Sequence, residues 1–304
     1  MMTTTLLPNE PRVPDWDATH ALTERFLQPA LAELQALFLW VRAGLNASLR
    51  EAKPFKHGKP YPLGQCLEIS QAVQRRLREL DAASLPGEPA AGYRALGEFI
   101  RHGGKVRQVW GDLRGEYFQN AFLAGTLYID ASNDTVNPAK PPVEILPLTE
   151  ADFRPIADCR HFARVASRYW NARVHPNHAL PALAPYFPMI TVSPAGGVQL
   201  QAASDYMIAL MQAGDFRPSE DVLRMPPMSA ELLTLIAKCL AASSLALPAT
   251  PEQGRAAALA ACAAYRERGL QHSVKQREAA VNALMTVNRQ LQALKVRGKD
   301  QAPR

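Results

Sequence analysis

Between Val106 and Asp130 the apolar residues stop recurring at intervals of three and four and begin to alternate at two. The stretches "VRQVW", "EYFQNAFL" and "TLYID" are rich in β-branched and aromatic residues, with turn residues between them. That is the pattern of three antiparallel strands. On both sides the helical period returns. Leu31, Leu34, Phe38, Val41, Leu45 and Leu49 form one strongly amphipathic stripe. After about residue 155, helices are predicted over 157–171, 203–213, 229–243, 251–268 and 271–295. A block of strands set between blocks of helices is the signature of an α+β protein. In the expected fold, a helix that opens near Gly64 packs on a small antiparallel sheet, and a largely helical C-terminal region follows.

The remaining punctuation fills in this outline. Asp17 is a candidate N-cap for a helix over 18–28, and Pro29 restarts the helical pattern. The segment "KPFKHGKPYPLG" reads as loop. The helix after it runs to about Leu80, with Glu68 near its start and Arg75, Arg76 and Arg78 in its last turns, where they complement the helix dipole. A further helix over 90–102 ends at Gly103-Gly104. "VEILPL" offers a fourth strand. Prolines cluster at 138–194 and 218–251 and mark rigid connections. The domain reading is a disordered tail over 1–15, an α+β core over 16–150 and a mostly helical region over 151–304.

Composition narrows the function classes. Apolar residues make up 47% of 304, enough for a sizeable core. The net charge of +6 is mild, with no block of five like charges, so it permits an anionic partner without requiring one. No basic region precedes a long apolar run, and no apolar stretch approaches 18 residues. The expectation is a cytoplasmic protein with no membrane contact. Cys66, Cys159, Cys239 and Cys262 lie too far apart for a zinc ribbon or a redox dithiol. No cofactor is expected. Asp158, Cys159, His161, His175 and His178 are all metal-ligand types, but their spacing matches no common site, and no metal is expected there. "YIDASNDTVNP" lacks the glycine and terminal glutamate of a calcium loop and reads as turn chemistry, placed to rim a cleft because it follows the strand of Asp130.

One constellation carries chemistry. Cys66 in "GQCLEISQAV" stands at a helix start. Asn120 lies on a strand within "YFQNAFLAGTLYIDAS", and Asp130 ends the next strand. This order resembles the transglutaminase-like branch of the papain-like thiol enzymes, over residues 60–135. The resemblance implies Cys66 as nucleophile of a hydrolase or acyltransferase, and Asp130 as the orienting carboxylate. At the family's histidine position stands Asn120, which cannot ionise and cannot shuttle the thiol proton. The position of the papain oxyanion glutamine holds Pro60, while Gln65 directly precedes Cys66. His161 or His57 would have to supply a base from elsewhere. Cys66 itself has two readings. A helix N-terminus favours its thiolate. Its place on the stripe Cys66, Ile69, Val73, Leu77 and Leu80 makes it a small core residue.

The hairpin register bears on the same site. A two-residue turn at Ala124-Gly125 sets Asp130 opposite Gln119, on the face of Ala121 and Tyr128. It leaves Asn120 on the more apolar face with Phe118 and Phe122. A three-residue loop over 124–126 brings Asn120 opposite Asp130. Two other functions stand beside the thiol enzyme. One is a non-catalytic protein-interaction module using the C-terminal helices, whose seam of Val274, Val281, Leu284, Asn288 and Leu291 allows a homo-oligomer through residues 271–295. The other is a weak single-stranded nucleic-acid binder using Arg94, Arg101, Lys105, Arg107 and Arg114 beside Tyr93, Trp110 and Tyr117. The partner expected is a protein or peptide, and nucleic acid is not expected.

Overall fold

The structure, a computed structural model, describes residues 5–56, 58–201, 205–241, 243 and 245–296. The chain divides into two compact units, Met1–Pro155 and Ile156–Arg304. It is an α+β protein, with small antiparallel sheets and a helical C-terminal region. Among the described residues no helix is long and apolar enough to cross a membrane.

The first unit begins with α1 (Trp16–Phe26), capped by Asp15 rather than Asp17, and α2 (Leu31–Ala52). The loop that follows contains a short ladder of β1 (Phe55–Lys56) with β2 (Lys59–Pro60). Then come α3 (Cys66–Glu79) and α4 (Gly87–Arg101). The strands are β3 (Val106–Leu113), β4 (Tyr117–Ala124), β5 (Leu127–Asp130) and β6 (Glu144–Pro147); the one-turn α5 (Leu148–Ala151) leads to β7 (Phe153–Arg154). They form one antiparallel sheet in the order β6-β5-β4-β3-β7.

Alternation along the strands gives this sheet two different faces. Phe122, Ala124, Leu127 and Ile129 join Leu34, Leu37, Phe38 and Val41 of α2, Ile69 and Val73 of α3 and Leu96 and Phe99 of α4 in the main core. Of the stripe read from the sequence of α2, Leu34, Phe38 and Val41 are buried, while Leu31, Leu45 and Leu49 are half-buried against the same core. α4 lies close to α2 because position 92 has no side chain: a Cβ there would stand 2.2 Å from the Glu33 carbonyl oxygen. The opposite face carries a smaller core of Val109, Leu113, Ala121, Leu123, Tyr128 and Phe153.

The N-terminal segment corrects the expectation of a disordered tail over 1–15. Residues 1–4 lie outside the described residues, but the segment from residue 5 is fixed against β3. Trp110 N donates to the Asn9 carbonyl at 2.8 Å, and the Arg107 guanidinium donates to the carbonyls of Glu10 (3.1 Å) and Arg12 (2.6 Å). β7 covers only Asp112 and Leu113 of this edge. The segment satisfies backbone groups that a bare edge would leave open.

The second unit holds α6 (Cys159–Tyr169), β8 (Arg173–Pro176), β9 (Met189–Val192), β10 (Val198–Leu200), α7 (Asp205–Ala213), α8 (Arg217–Leu223), α9 (Ala230–Cys239), α10 (Pro251–Glu267) and α11 (Val274–Leu291). The three strands pair antiparallel in the order β10-β9-β8. Sequence periodicity missed this sheet, because its strands are three or four residues long and the first two sit in the proline-dense stretch read as connection. On α11, Ala280, Leu284, Val287 and Leu291 are buried. The Asn288 side chain bridges both backbone groups of Leu200, at 2.8 and 2.9 Å. Leu284, Asn288 and Leu291 of the expected seam over residues 271–295 are thus used within their own unit, whereas Val274 of the same seam is exposed. Met285 of α11 is exposed as well.

Candidate functional site

Cys66 is the first residue of α3, and α3 packs on β4. Asn120 is the fourth residue of β4, on the same face as Phe122 and Ala124. Its side chain therefore meets the helix, and Asn120 Nδ2 lies 3.5 Å from Cys66 Sγ. The junction is pinned further by Ser70 Oγ, which donates to the Asn120 carbonyl at 3.0 Å. Gln65 at the helix cap donates through Nε2 to the Lys53 carbonyl. The approach to the helix is held by Glu68, which receives Lys53 Nζ at 2.6 Å and Lys56 Nζ at 2.9 Å.

The electrostatics oppose a ready thiolate. Cys66 is 8% exposed. Burial pushes its thiol above the ordinary value. The hydrogen bonds with Asn120 and the Lys56 charge act the other way without offsetting burial, and the Asp130 charge adds to the rise.

Asp130 is fully buried but does not meet Asn120. The hairpin turns at Gly125-Thr126, so Ala124 pairs with Leu127 and Phe122 with Ile129. Neither expected register is the one formed. The physical reason is Gly125, whose φ of +63° stands at the first turn position. A positive φ there alone is the type II′ arrangement, which places glycine first rather than second. Asp130 shares the face of Tyr128, away from Asn120, as the two-residue reading held, with the pairing slid by two. Asp130 Oδ2 accepts from Gln119 Nε2 at 2.6 Å and from Tyr128 OH at 3.1 Å. Asp130 Oδ1 accepts from Ser132 N at 2.8 Å and Ser132 Oγ at 2.9 Å. The structure thus joins Cys66 to Asn120 and joins Asp130 to Gln119. It does not assemble the three as a relay.

Burial pushes the Asp130 carboxyl up to about 6, against its hydrogen bonds, which lower it. That exceeds the 3.8 of an ordinary aspartate, so the native state binds the proton more tightly than the unfolded chain. Stability from this group therefore rises as pH falls through 6 toward 3.8, by on the order of 3 kcal/mol, and is lowest at neutral pH and above. Asp130→Asn removes that dependence. The new amide can also donate to Gln119 Oε1, a buried oxygen with no hydrogen-bond partner among the described residues. The stability difference between Asp130→Asn and wild type, from urea melts at pH 7.5 and 5, should shrink as pH falls. Parallel curves would show that the carboxyl stays ionised. The depressed His175 and His178, whose burial favours the neutral form, act in the opposite sense, but they cancel in this comparison.

The other candidates are placed as follows. His57 lies outside the described residues. His161 is on α6 of the second unit, where its Nδ1 accepts the Ala157 N–H at 3.1 Å. Asp158 caps α6 through the His161 N–H at 2.7 Å, and His178 Nε2 pairs with the Leu223 carbonyl at 2.9 Å. Among the described residues no three His, Cys, Asp or Glu side chains gather as metal ligands. The basic residues of 94–117 are largely engaged: Arg101 pairs with Glu98, Arg114 with Glu144, and Arg107 with the N-terminal carbonyls. The alternative single-stranded nucleic-acid surface considered there has three of its five cations engaged.

Sequence reasoning passed over one residue. Arg42 of α2 is 1% exposed inside the core. Its guanidinium donates to the Ala131 carbonyl (3.1 Å), Tyr61 OH (2.8 Å) and both Asp134 carboxylate oxygens (3.1 and 3.3 Å). An arginine between Val41 and Leu45 on an apolar stripe was the available signal. The acidic partner lay in the polar stretch after Asp130.

No family model matches the chain, and no curated protein or solved structure matches it either.

Proposed function

We propose that the first unit is a non-catalytic relative of the thiol hydrolases its motif order resembles, and that the protein works by binding a protein or peptide rather than by cleaving one. The observation that carries this reading is the contact of Cys66 Sγ with the Asn120 amide. An amide N–H donates to sulfur, but it cannot take the thiol proton or return it to a leaving group. Among the described residues no base stands beside this nucleophile, and a thiol that is buried with a raised pKa lacks what covalent catalysis requires. The surrounding hydrogen bonds make the same residues a stiff junction between α3 and the sheet. A scaffold kept without its chemistry leaves recognition as its use.

The test is alkylation of each cysteine by iodoacetamide between pH 6 and 10, read by mass spectrometry. Cys239 is half-buried, whereas Cys66, Cys159 and Cys262 are buried. Cys239 should react first. Cys66 should react more slowly than an unfolded cysteine at every pH below 9 and become fully reactive only in denaturant. Selective labelling of Cys66 at pH 6 would refute the reading and restore the thiol enzyme.

A further inference from the structure

Sulfur side chains gather at one place inside the second unit. α7 carries Met207 and Met211, four residues apart, so both thioethers lie on one helix face a turn from each other. Cys159, the first residue of α6, meets them: its Sγ lies 3.5 Å from Met211 Sδ. Met189 of β9 joins the group, and all four side chains are buried. They line a cavity of about 10 Å³. The Met211 sulfur is held in place by Ser219 Oγ, 2.9 Å away, whose proton goes to the Pro185 carbonyl at 2.6 Å. Packing alone does not explain the void. Methionine is the most adaptable of core side chains and fills irregular gaps, yet three of the chain's eight methionines border a gap that stays open. Water is a poor occupant. It needs about two to four polar partners, and apart from the Gln201 side chain the wall is sulfur, aromatic and aliphatic.

We propose that this cavity binds one cuprous ion, with the Cys159 thiolate and the Met207 and Met211 thioethers as its ligands. The class of ion follows from softness and charge. Thiolate and thioether sulfurs select Cu(I) over hard cations. As the ion enters, the Cys159 S–H bond breaks, the proton leaves to solvent, and a sulfur–copper bond forms with no change of oxidation state. One positive charge replaces another, so the buried group stays neutral. A zinc ion on the same thiolate would leave a net positive charge in an apolar interior, which is costly. Little is surrendered in the exchange, since a thiol donates only weakly to a thioether. The cavity also has a way in. Cys159 lines a polar surface cleft as well, whose other walls are Asp158, Arg160, Pro218 and Asp221. Those walls carry two carboxylates and one guanidinium, so an arriving cation is not repelled. The hard ligand types near Cys159 form no site of their own among the described residues; the soft ones supply this one. It is independent of the Cys66 junction.

The experiment is an anaerobic titration of the reduced full chain against Cu(I) held as its coloured bicinchoninate complex. The protein should withdraw one equivalent, read as loss of the complex's absorbance. Cys159→Ser should weaken binding at least about a hundredfold and Met211→Leu about tenfold, because a hydroxyl is a hard ligand and leucine is none. Leucine keeps the methionine volume, so Met211→Leu separates ligation from packing. Cys239→Ser and Cys262→Ser should each stay within about threefold of wild type. Cys262 is as buried as Cys159, so its variant controls for the loss of a core thiol. X-ray absorption at the copper edge should show a shell of sulfur alone, and excess Zn(II) should not displace the ion. Matching circular dichroism spectra exclude unfolding as the cause; if Cys159→Ser fails to fold, Met211→Leu and the absorption spectrum decide. No withdrawal by the wild type, or unchanged affinity in Met211→Leu or in folded Cys159→Ser, would overturn the proposal. So would nitrogen or oxygen in the copper shell, displacement by Zn(II), or a loss in Cys239→Ser as large as that in Cys159→Ser.

Discussion

Replacing Arg42 by alanine is expected to cost the first unit about 3–5 kcal/mol, the usual toll of removing one partner from a buried ion pair. Arg42 is more than half of a pair. One guanidinium ties α2 to the carbonyl after β5, to the Tyr61 hydroxyl and to the Asp134 carboxylate. It also lies 5.6 Å from the centre of the Tyr61 ring, and Tyr61 OH in turn donates to Asn46. Truncation strands a carboxylate that is 13% exposed and a buried carbonyl, and each then pays its desolvation without return. Lysine should not rescue the site, because one ammonium cannot serve three acceptors in a planar fork. The double change Arg42→Met with Asp134→Leu should recover much of the loss, since replacing both partners removes the stranded charge. Urea titration of the full chain followed by tryptophan fluorescence reads the first unit preferentially, as Trp16, Trp40 and Trp110 belong to it and only Trp170 to the second. A midpoint unchanged in Arg42→Ala would show that water replaces the guanidinium and that the cluster is not structural.

The same cluster shows what the sequence could and could not reveal. The apolar stripe of α2 was legible because burial of one helix face is a local pattern, repeated over six turns. Arg42 breaks that pattern, and its meaning depends on Tyr61 and Asp134, 19 and 92 residues away. Long-range polar partners leave no period to read. The N-terminal segment was illegible for a related reason: its order comes from the open edge of β3 rather than from its own composition. At the candidate site, the order of Cys66, Asn120 and Asp130 foretold that Cys66 and Asn120 would meet. The separation of Asp130 from Asn120 was hidden in one turn. Placing Gly125 first rather than second in that turn moves every cross-strand pair, and the sheet face of each side chain then decides which partners exist.

The turn and the junction together define what a single substitution can restore. Asn120→His is expected to raise the alkylation rate of Cys66 at pH 7 at least tenfold over wild type while adding no hydrolytic turnover. Histidine Nδ1 hangs from Cγ as asparagine Nδ2 does, so the ring nitrogen falls where the amide now stands, 3.5 Å from the sulfur. An imidazole there can accept the thiol proton and leave an ion pair, the arrangement that lowers cysteine pKa by several units in thiol enzymes. The gain works against the burial that now raises the Cys66 pKa, which sets the modest lower bound. Turnover needs more. The new imidazole would have no carboxylate to orient it, because Asp130 faces the other side of the sheet and is occupied by Gln119, Tyr128 and Ser132. The measurement is the pH profile of Cys66 labelling in the two proteins, with Cys239 as internal reference. A profile in Asn120→His that is shifted to lower pH, with no release of p-nitrophenol from its acetate ester beyond a single equivalent, would place the missing base as the first obstacle to chemistry and Asp130 as the second. An unshifted profile would mean that desolvation, rather than the absent base, keeps this thiol silent.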